Sequence, residues 1–322
     1  MQVSCSGFKG NYRRLNGPRE IPLTLDELIH ASVTVGAPDI LETIPNNRQA
    51  LAFALHKIFA IATIVEFDEE GQISNSDTYR KLDQSEKVVL SYYMGMAMAK
   101  IIADRCLDVS RPVHARGMKD AGQLTISPPR SRSLPDLIGQ DSRGRWHVLE
   151  AKGYQKGPGR TKRSQWKIQA EKVREVDGIR PVTKSYCLTL QQPYYSVDLV
   201  DPRGILRSAI NISIVDPLAV QKFYYAPYID LFSENRSVTT VDRQEILSTP
   251  IGLDFKNSKL YSIGILKSVL KQVIRNQPVE IPEIHVQNDN GTYVGSDGIV
   301  IQSEPLNTGS NHAVIRHIRE RS

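Results

Sequence analysis

Residues Pro135 to Gly153, PDLIGQDSRGRWHVLEAKG, constrain the fold more than any other stretch of the chain. Two short apolar runs flank a polar turn, the pattern of a β-hairpin. The connection Ser142-Arg143-Gly144, with glycine in the left-handed position, is a common three-residue loop, and it leaves Asp141 opposite Arg145. The same register sets Asp136 directly across from Glu150. Side chains alternate along a strand, so Glu150 and Lys152 share one face while Leu149 and Ala151 take the other. Opposed residues have Cβ atoms about 4.5 to 5.5 Å apart. Two carboxylates that close, flanked by Ile138 and Val148, destabilise the hairpin unless something neutralises them.

A divalent cation does so. Mg²⁺ takes hard oxygen ligands, commonly one or two carboxylates, and completes its octahedron with water and phosphate oxygen; Mn²⁺ is expected to substitute. Such an ion lowers the pKa of a bound water and polarises a phosphoryl oxygen, while Lys152 orients the attacking water or stabilises charge on the phosphate. The expected reaction is hydrolysis of a phosphodiester. Charge is concentrated in the same place: Ser110 to Arg163 holds twelve lysines and arginines against Asp120, Asp136, Asp141 and Glu150, in a chain of net charge only +6. By itself this reads first as a solvated basic face and, more sharply, as a surface for a polyanion.

The rest of the sequence reads as α/β. From Thr24 to about Glu66 the pattern is helical, and Ser85 opens a second strong helix whose methionines are expected in the core. Short strand candidates follow: RPVHAR, GQLTIS, SLPDLIG and RWHVLEAKG. An amphipathic helix is expected over Thr161 to Gly178, then strands at KSYCLTLQQ and YSVDLVDP. Beyond Pro202, DPLAVQKFYYAPYIDLFSE and SIGILKSVLKQVIRN read as helices, and EIHVQNDNGTYVGSDGIVIQ reads as a hairpin turning at Asn290-Gly291 before a basic tail. These patterns suggest a helical region over 1–84, a mixed-sheet core covered by helices over 85–201, and an α+β region over 202–322.

The pair Pro135-Asp136, thirteen intervening residues and the triplet Glu150-Ala151-Lys152 resemble the signature of the PD-(D/E)xK nuclease superfamily, the restriction-endonuclease-like fold. The resemblance covers roughly Ser85 to Gln191 and leaves out the C-terminal third. It implies a core of helix, three-stranded meander, helix and strand, with Asp136 and Glu150 as metal ligands and Lys152 as the catalytic lysine. Members often add an acid from the helix before the sheet, which singles out Glu86, although an acid in a helix's first turn also complements the macrodipole. Some members carry Gln and, four residues later, Tyr on the following helix; this chain has Gln165 and Gln169 but no such Tyr. The resemblance also suggests double-stranded DNA as substrate and a restriction or antiphage setting. Double-strand cutting by one site per chain calls for a homodimer or a partner subunit.

Other signals are weaker. The loop GYQKGPGRTK lacks P-loop spacing and reads either as a basic connection whose Lys156, Arg160, Lys162 and Arg163 contact a nucleic-acid backbone or as a plain solvated loop. His147 has the wrong parity to face Glu150, and Trp166 is expected in the core. The triplet Asp254 to Lys256 and the dipeptide Pro38-Asp39 lack a paired strand. The three cysteines, Cys5, Cys106 and Cys187, form no zinc or disulfide pattern, and no run of 18 apolar residues occurs. A cytoplasmic protein with no membrane contact is the expectation. The alternative is a catalytically inactive nucleic-acid-binding or assembly subunit that keeps the nuclease-like fold.

Overall fold

The computed structural model describes residues 1–35, 47–129, 134–202, 209–232, 237–254, 259–284 and 291–305. The architecture is mixed α/β, and among the described residues no helix is long and apolar enough to cross a membrane.

The principal sheet has seven strands. They are β1 (Gln2–Ser6), β2 (Gly17–Glu20), β5 (Val113–His114), β7 (Leu137–Gln140), β8 (Trp146–Tyr154), β10 (Thr183–Leu190) and β11 (Ser196–Val200), in the order β2-β1-β11-β10-β8-β7-β5. The pairs β1 with β11 and β8 with β10 are parallel, and the others are antiparallel. Strands β3 (Val65–Phe67) and β4 (Ile73–Asn75) form a separate ribbon. A three-stranded sheet joins β6 (Leu124–Ser127), β12 (Ile210–Ile214) and β9 (Val173–Val176). The C-terminal sheet holds β13 (Ser237–Val241), β14 (Gln244–Asp254), β15 (Lys259–Leu266), β16 (Thr292–Val294) and β17 (Ile299–Pro305).

The helices are α1 (Leu25–Thr34), α2 (Asn47–Ile64), α3 (Asp77–Lys81), α4 (Gln84–Leu107), α5 (Ala115–Asp120), α6 (Arg160–Glu171), α7 (Ala219–Leu231) and α8 (Lys267–Ile274). Thr24 caps α1 by accepting the Glu27 N–H. Helix α4 starts at an Asp83 cap, two residues before the expected Ser85, and buries Met94, Met96 and Met98 in the core as the sequence suggests. On the opposite face, Trp166 of α6 packs on Tyr154 and Tyr186. The sheet is therefore covered on both sides.

Several elements differ from the sequence reading. The region before residue 84 contributes two strands to the principal sheet as well as helices, and one cluster of buried apolar side chains runs from Met1 to Ile301 through all three expected segments. The helix expected over Thr161 to Gly178 stops at Glu171, and Val173–Val176 is strand β9. Its pairing with β12 skips Arg174, and that bulge puts Val173 and Val176 in the core at a spacing that mimics a helix. Likewise the first half of SIGILKSVLKQVIRN is strand, with Tyr261, Ile263 and Ile265 buried at period two before α8 begins. A C-terminal hairpin turns at Gly295 to Gly298; Asn290 of the expected Asn-Gly turn and the basic tail lie outside the described residues, as do Pro38-Asp39 and Lys256.

Candidate active site

The hairpin β7–β8 has the register that its turn demands. Leu137 pairs with Leu149, Ile138 with Val148, Gly139 with His147 and Gln140 with Trp146. Gly144 sits at φ 71°, in the left-handed region. The Asp141 carboxylate accepts the Arg143 and Arg145 N–H groups at 3.0 and 2.9 Å, which holds the turn closed. One step beyond the ladder, Asp136 comes opposite Glu150.

There the charges meet. Lys152 Nζ donates to Asp136 Oδ2 at 3.1 Å and to Glu150 Oε2 at 2.8 Å, so one ammonium bridges both carboxylates. Asp136 Oδ2 also accepts the Ala151 N–H at 2.9 Å, which ties the aspartate to the partner strand's backbone. Burial grades across the cluster: the Glu150 side chain is 4% exposed, Lys152 18% and Asp136 26%. The cluster thus opens to solvent on the Asp136 side. Burial, reinforced by the neighbouring Asp136 charge, pushes the Glu150 carboxyl up despite Lys152. Burial alone would depress the Lys152 ammonium, but the Glu150 and Asp136 charges outweigh it and raise its pKa.

Packing fixes the strand end that carries Lys152. Helix α4 crosses β8 so closely that a Cβ on Gly153 would stand 1.8 Å from the Ser91 carbonyl oxygen, and one on Gly95 2.6 Å from the Gly153 nitrogen. Only glycine at both positions lets helix and strand meet there. On the other face, Tyr154, Trp166 and Tyr186 form the wall beside the charged cluster.

Asp136, Glu150 and Lys152 therefore come together as expected, and the remaining candidates do not join them. Glu86 is a correction: its carboxylate accepts the Asp83 N–H at 3.1 Å in a capping box, so the helix terminus accounts for it. Among the described residues, no group of three His, Cys, Asp or Glu is placed to hold a metal ion. Lys156 and Arg160 are exposed. Lys162 stands over the Tyr154 ring at 5.2 Å. Arg163 is a second correction, because it is half-buried and ion-paired to Asp198 at 3.0 Å rather than free for a backbone phosphate.

His147 faces away from Glu150, as its parity requires. Its Nδ1 lies 2.8 Å from the Thr183 hydroxyl, and its Nε2 lies 3.2 Å from the Tyr12 hydroxyl. Tyr12 donates to Asp141 at 3.0 Å and accepts from Arg145 at 2.8 Å. Burial depresses His147 to about 4 against the pull of Asp141. Burial would raise Asp141, but hydrogen bonds from Arg145, Tyr12 and the Arg143 N–H hold it near 2. The sequence reading missed this second cluster, since Tyr12 lies 129 residues from Asp141. It also missed the Ala151 N–H as a partner for Asp136, because a backbone donor leaves no mark in a side-chain motif. Comparison of the chain with protein-family models, with curated proteins and with solved structures finds no match.

Proposed function

We propose that the protein is a Mg²⁺-dependent nuclease that hydrolyses phosphodiester bonds of double-stranded DNA through Asp136, Glu150 and Lys152. The observation that carries this reading is the convergence of two carboxylates from facing strands on a single cation, with Lys152 Nζ 3.1 Å from one and 2.8 Å from the other. A fold has no need of such an arrangement: taking like charges out of water costs more than hydrophobic residues of similar size would. The order of elements supports a restriction-endonuclease-like core. Helix α4 precedes the meander β5-β7-β8, with β6 diverted to another sheet, then come α6 and β10, parallel to β8.

The donor set fits the metal. Hard carboxylate oxygens from Asp136 and Glu150 converge on the Lys152 ammonium, a cation position that Mg²⁺ would compete for, and Mg²⁺ asks for no more than one or two such ligands. When bound, the ion would supply a Lewis acid and a water of lowered pKa. The protein's own groups do the rest. The Ala151 N–H fixes Asp136 Oδ2 on the more exposed side of the cluster. Glu150, held on the central strand, must be deprotonated to act as a ligand. Lys152 keeps its proton between the two acids, ready to orient a nucleophile and to stabilise charge gathering on the phosphoryl oxygens. Exposed Lys156 and Arg160, just beyond the strand end, are suited to hold the polyanion.

The test is plasmid cleavage in Mg²⁺ by wild type and by Lys152→Ala; equal cleavage by both would sink the proposal. That only two acids meet at the cluster among the described residues favours one second reading, a nucleic-acid-binding subunit with a silent site. Salt-sensitive DNA binding, with no metal-dependent cleavage and no effect of Asp136→Ala, would select it.

A further inference from the structure

At the opposite end of β8 the hairpin turn meets the 3-10 turn Gly10–Leu15, which connects β1 to β2. Between them lies a hollow of ≈ 440 Å³. Its rim carries three guanidinium groups, from Arg14 on one turn and Arg143 and Arg145 on the other. Arg145 is held in place by Asp141 at 2.7 Å and Tyr12 at 2.8 Å. Arg14 and Arg143 are exposed, and their guanidinium groups have no partner among the described residues. The acid on the rim, Asp108, is already engaged by the Ser142 N–H and hydroxyl. Leu15, Cys106 and Leu107 also line the hollow but are themselves buried, so its open lining is mostly polar.

A polar hollow lined by three arginines suits a phosphorylated ligand that carries a planar ring. Guanidinium groups bind phosphate through paired N–H donors and stack on planar rings. The volume lies within the range of about 300 to 1,000 Å³ usual for small-ligand pockets. The hollow is separate from the carboxylate cluster. Arg145 and Lys152 are seven positions apart along extended chain, roughly 23 Å at about 3.3 Å per residue. It also opens beside Cys106 and Leu107, on the face of the sheet that α4 covers, whereas the cluster shares the α6 face.

We propose that this hollow binds a nucleoside phosphate, either free or as the terminal phosphorylated nucleotide of a strand, with Arg14 and Arg143 gripping the phosphate. The site stands whether or not the carboxylate cluster cuts DNA. Calorimetric titration of the full chain with ATP, AMP, inorganic phosphate and a short 5′-phosphorylated oligonucleotide tests it. Saturable binding of a nucleotide or of the phosphorylated end is expected, tighter than that of inorganic phosphate. Arg14→Ala and Arg143→Ala should each weaken it at least about tenfold, since each removes a charged hydrogen-bond donor. Both side chains are exposed, so the variants should fold, which their melting curves check. Lys152→Ala should bind as wild type does, and this separates the pocket from the proposed nuclease site. Binding of AMP or ATP identifies a free nucleotide as the source, and binding of the oligonucleotide alone identifies a strand end. Absence of saturable binding to all the nucleotide ligands overturns the proposal. So does inorganic phosphate binding as tightly as the nucleotides, or an affinity that both arginine substitutions leave within tenfold of wild type.

Discussion

The two ends of the β7–β8 hairpin both gather charge, but they treat it differently. At the turn, each Asp141 oxygen has its donors: Oδ1 takes two backbone N–H groups, and Oδ2 takes Tyr12 and Arg145. At the open end, two acids compete for one lysine, and burial pushes Glu150 toward its neutral form. A satisfied cluster locks a conformation, whereas an under-supplied one has room for another cation. On the function proposed above, the contrast between the two divides the labour: the turn cluster serves the fold and the open cluster serves chemistry.

The largest expected effect is on stability and belongs to the turn. Asp141→Ala removes the acceptor shared by Arg145, Tyr12 and two backbone N–H groups, and it should cost about 3 to 5 kcal/mol in denaturant unfolding. A loss under about 1 kcal/mol would erase the distinction between the two ends. Close behind in size is an effect on activity. Lys152→Ala should lower Mg²⁺-dependent cleavage by about 10²- to 10³-fold, with a smaller change in unfolding midpoint than Asp141→Ala. Glu150→Gln should cut activity similarly and leave stability equal or higher, because it relieves repulsion with Asp136. If it destabilises the chain as much as Asp141→Ala does, both ends are structural.

Acid should distinguish them as well. His147 is buried neutral between Tyr12, Asp141 and Thr183, with Arg145 and Asp108 nearby, and its pKa in the fold is about 4. Below the ordinary histidine value of about 6.5 the unfolded chain binds a proton that the folded chain refuses, so stability falls with pH until His147 itself protonates near 4. The expected loss across that window is on the order of 3 kcal/mol. Urea unfolding at intervals from pH 7 to pH 4 measures it, and His147→Gln should flatten the curve.

The hairpin was legible in the sequence because its information is local. A three-residue loop with glycine at its third position sets the register, and the register sets which charges meet. The elements that escaped depend on partners far along the chain. Strand β1 is QVSCS, short and without a long apolar side chain beyond Val3, and it becomes a strand by pairing with β11 nearly 200 residues away. Strand β9 borrowed a helical spacing from its bulge against β12. Tyr12 reached the Asp141 cluster, and Arg14 the hollow beside it, only through the same long connection. Spacing along the chain shows the pair Glu150 and Lys152; it cannot show that Glu86 is spent on its own helix.

Glu86 gives the smallest effect and the finest test. As an acid on the helix before the sheet it is where a third metal ligand is expected, yet its carboxylate returns to the Asp83 N–H and completes a capping box. Glu86→Ala should therefore lower the melting temperature by about one or two degrees, the size expected for losing one exposed cap contact in a chain this long. Cleavage and its dependence on Mg²⁺ concentration should stay at the wild-type level. A rise in the Mg²⁺ concentration needed for half-maximal cleavage would mean that α4 unwinds its first turn to deliver Glu86 to the metal, and the open end of the hairpin would then recruit a ligand that the resting fold keeps elsewhere.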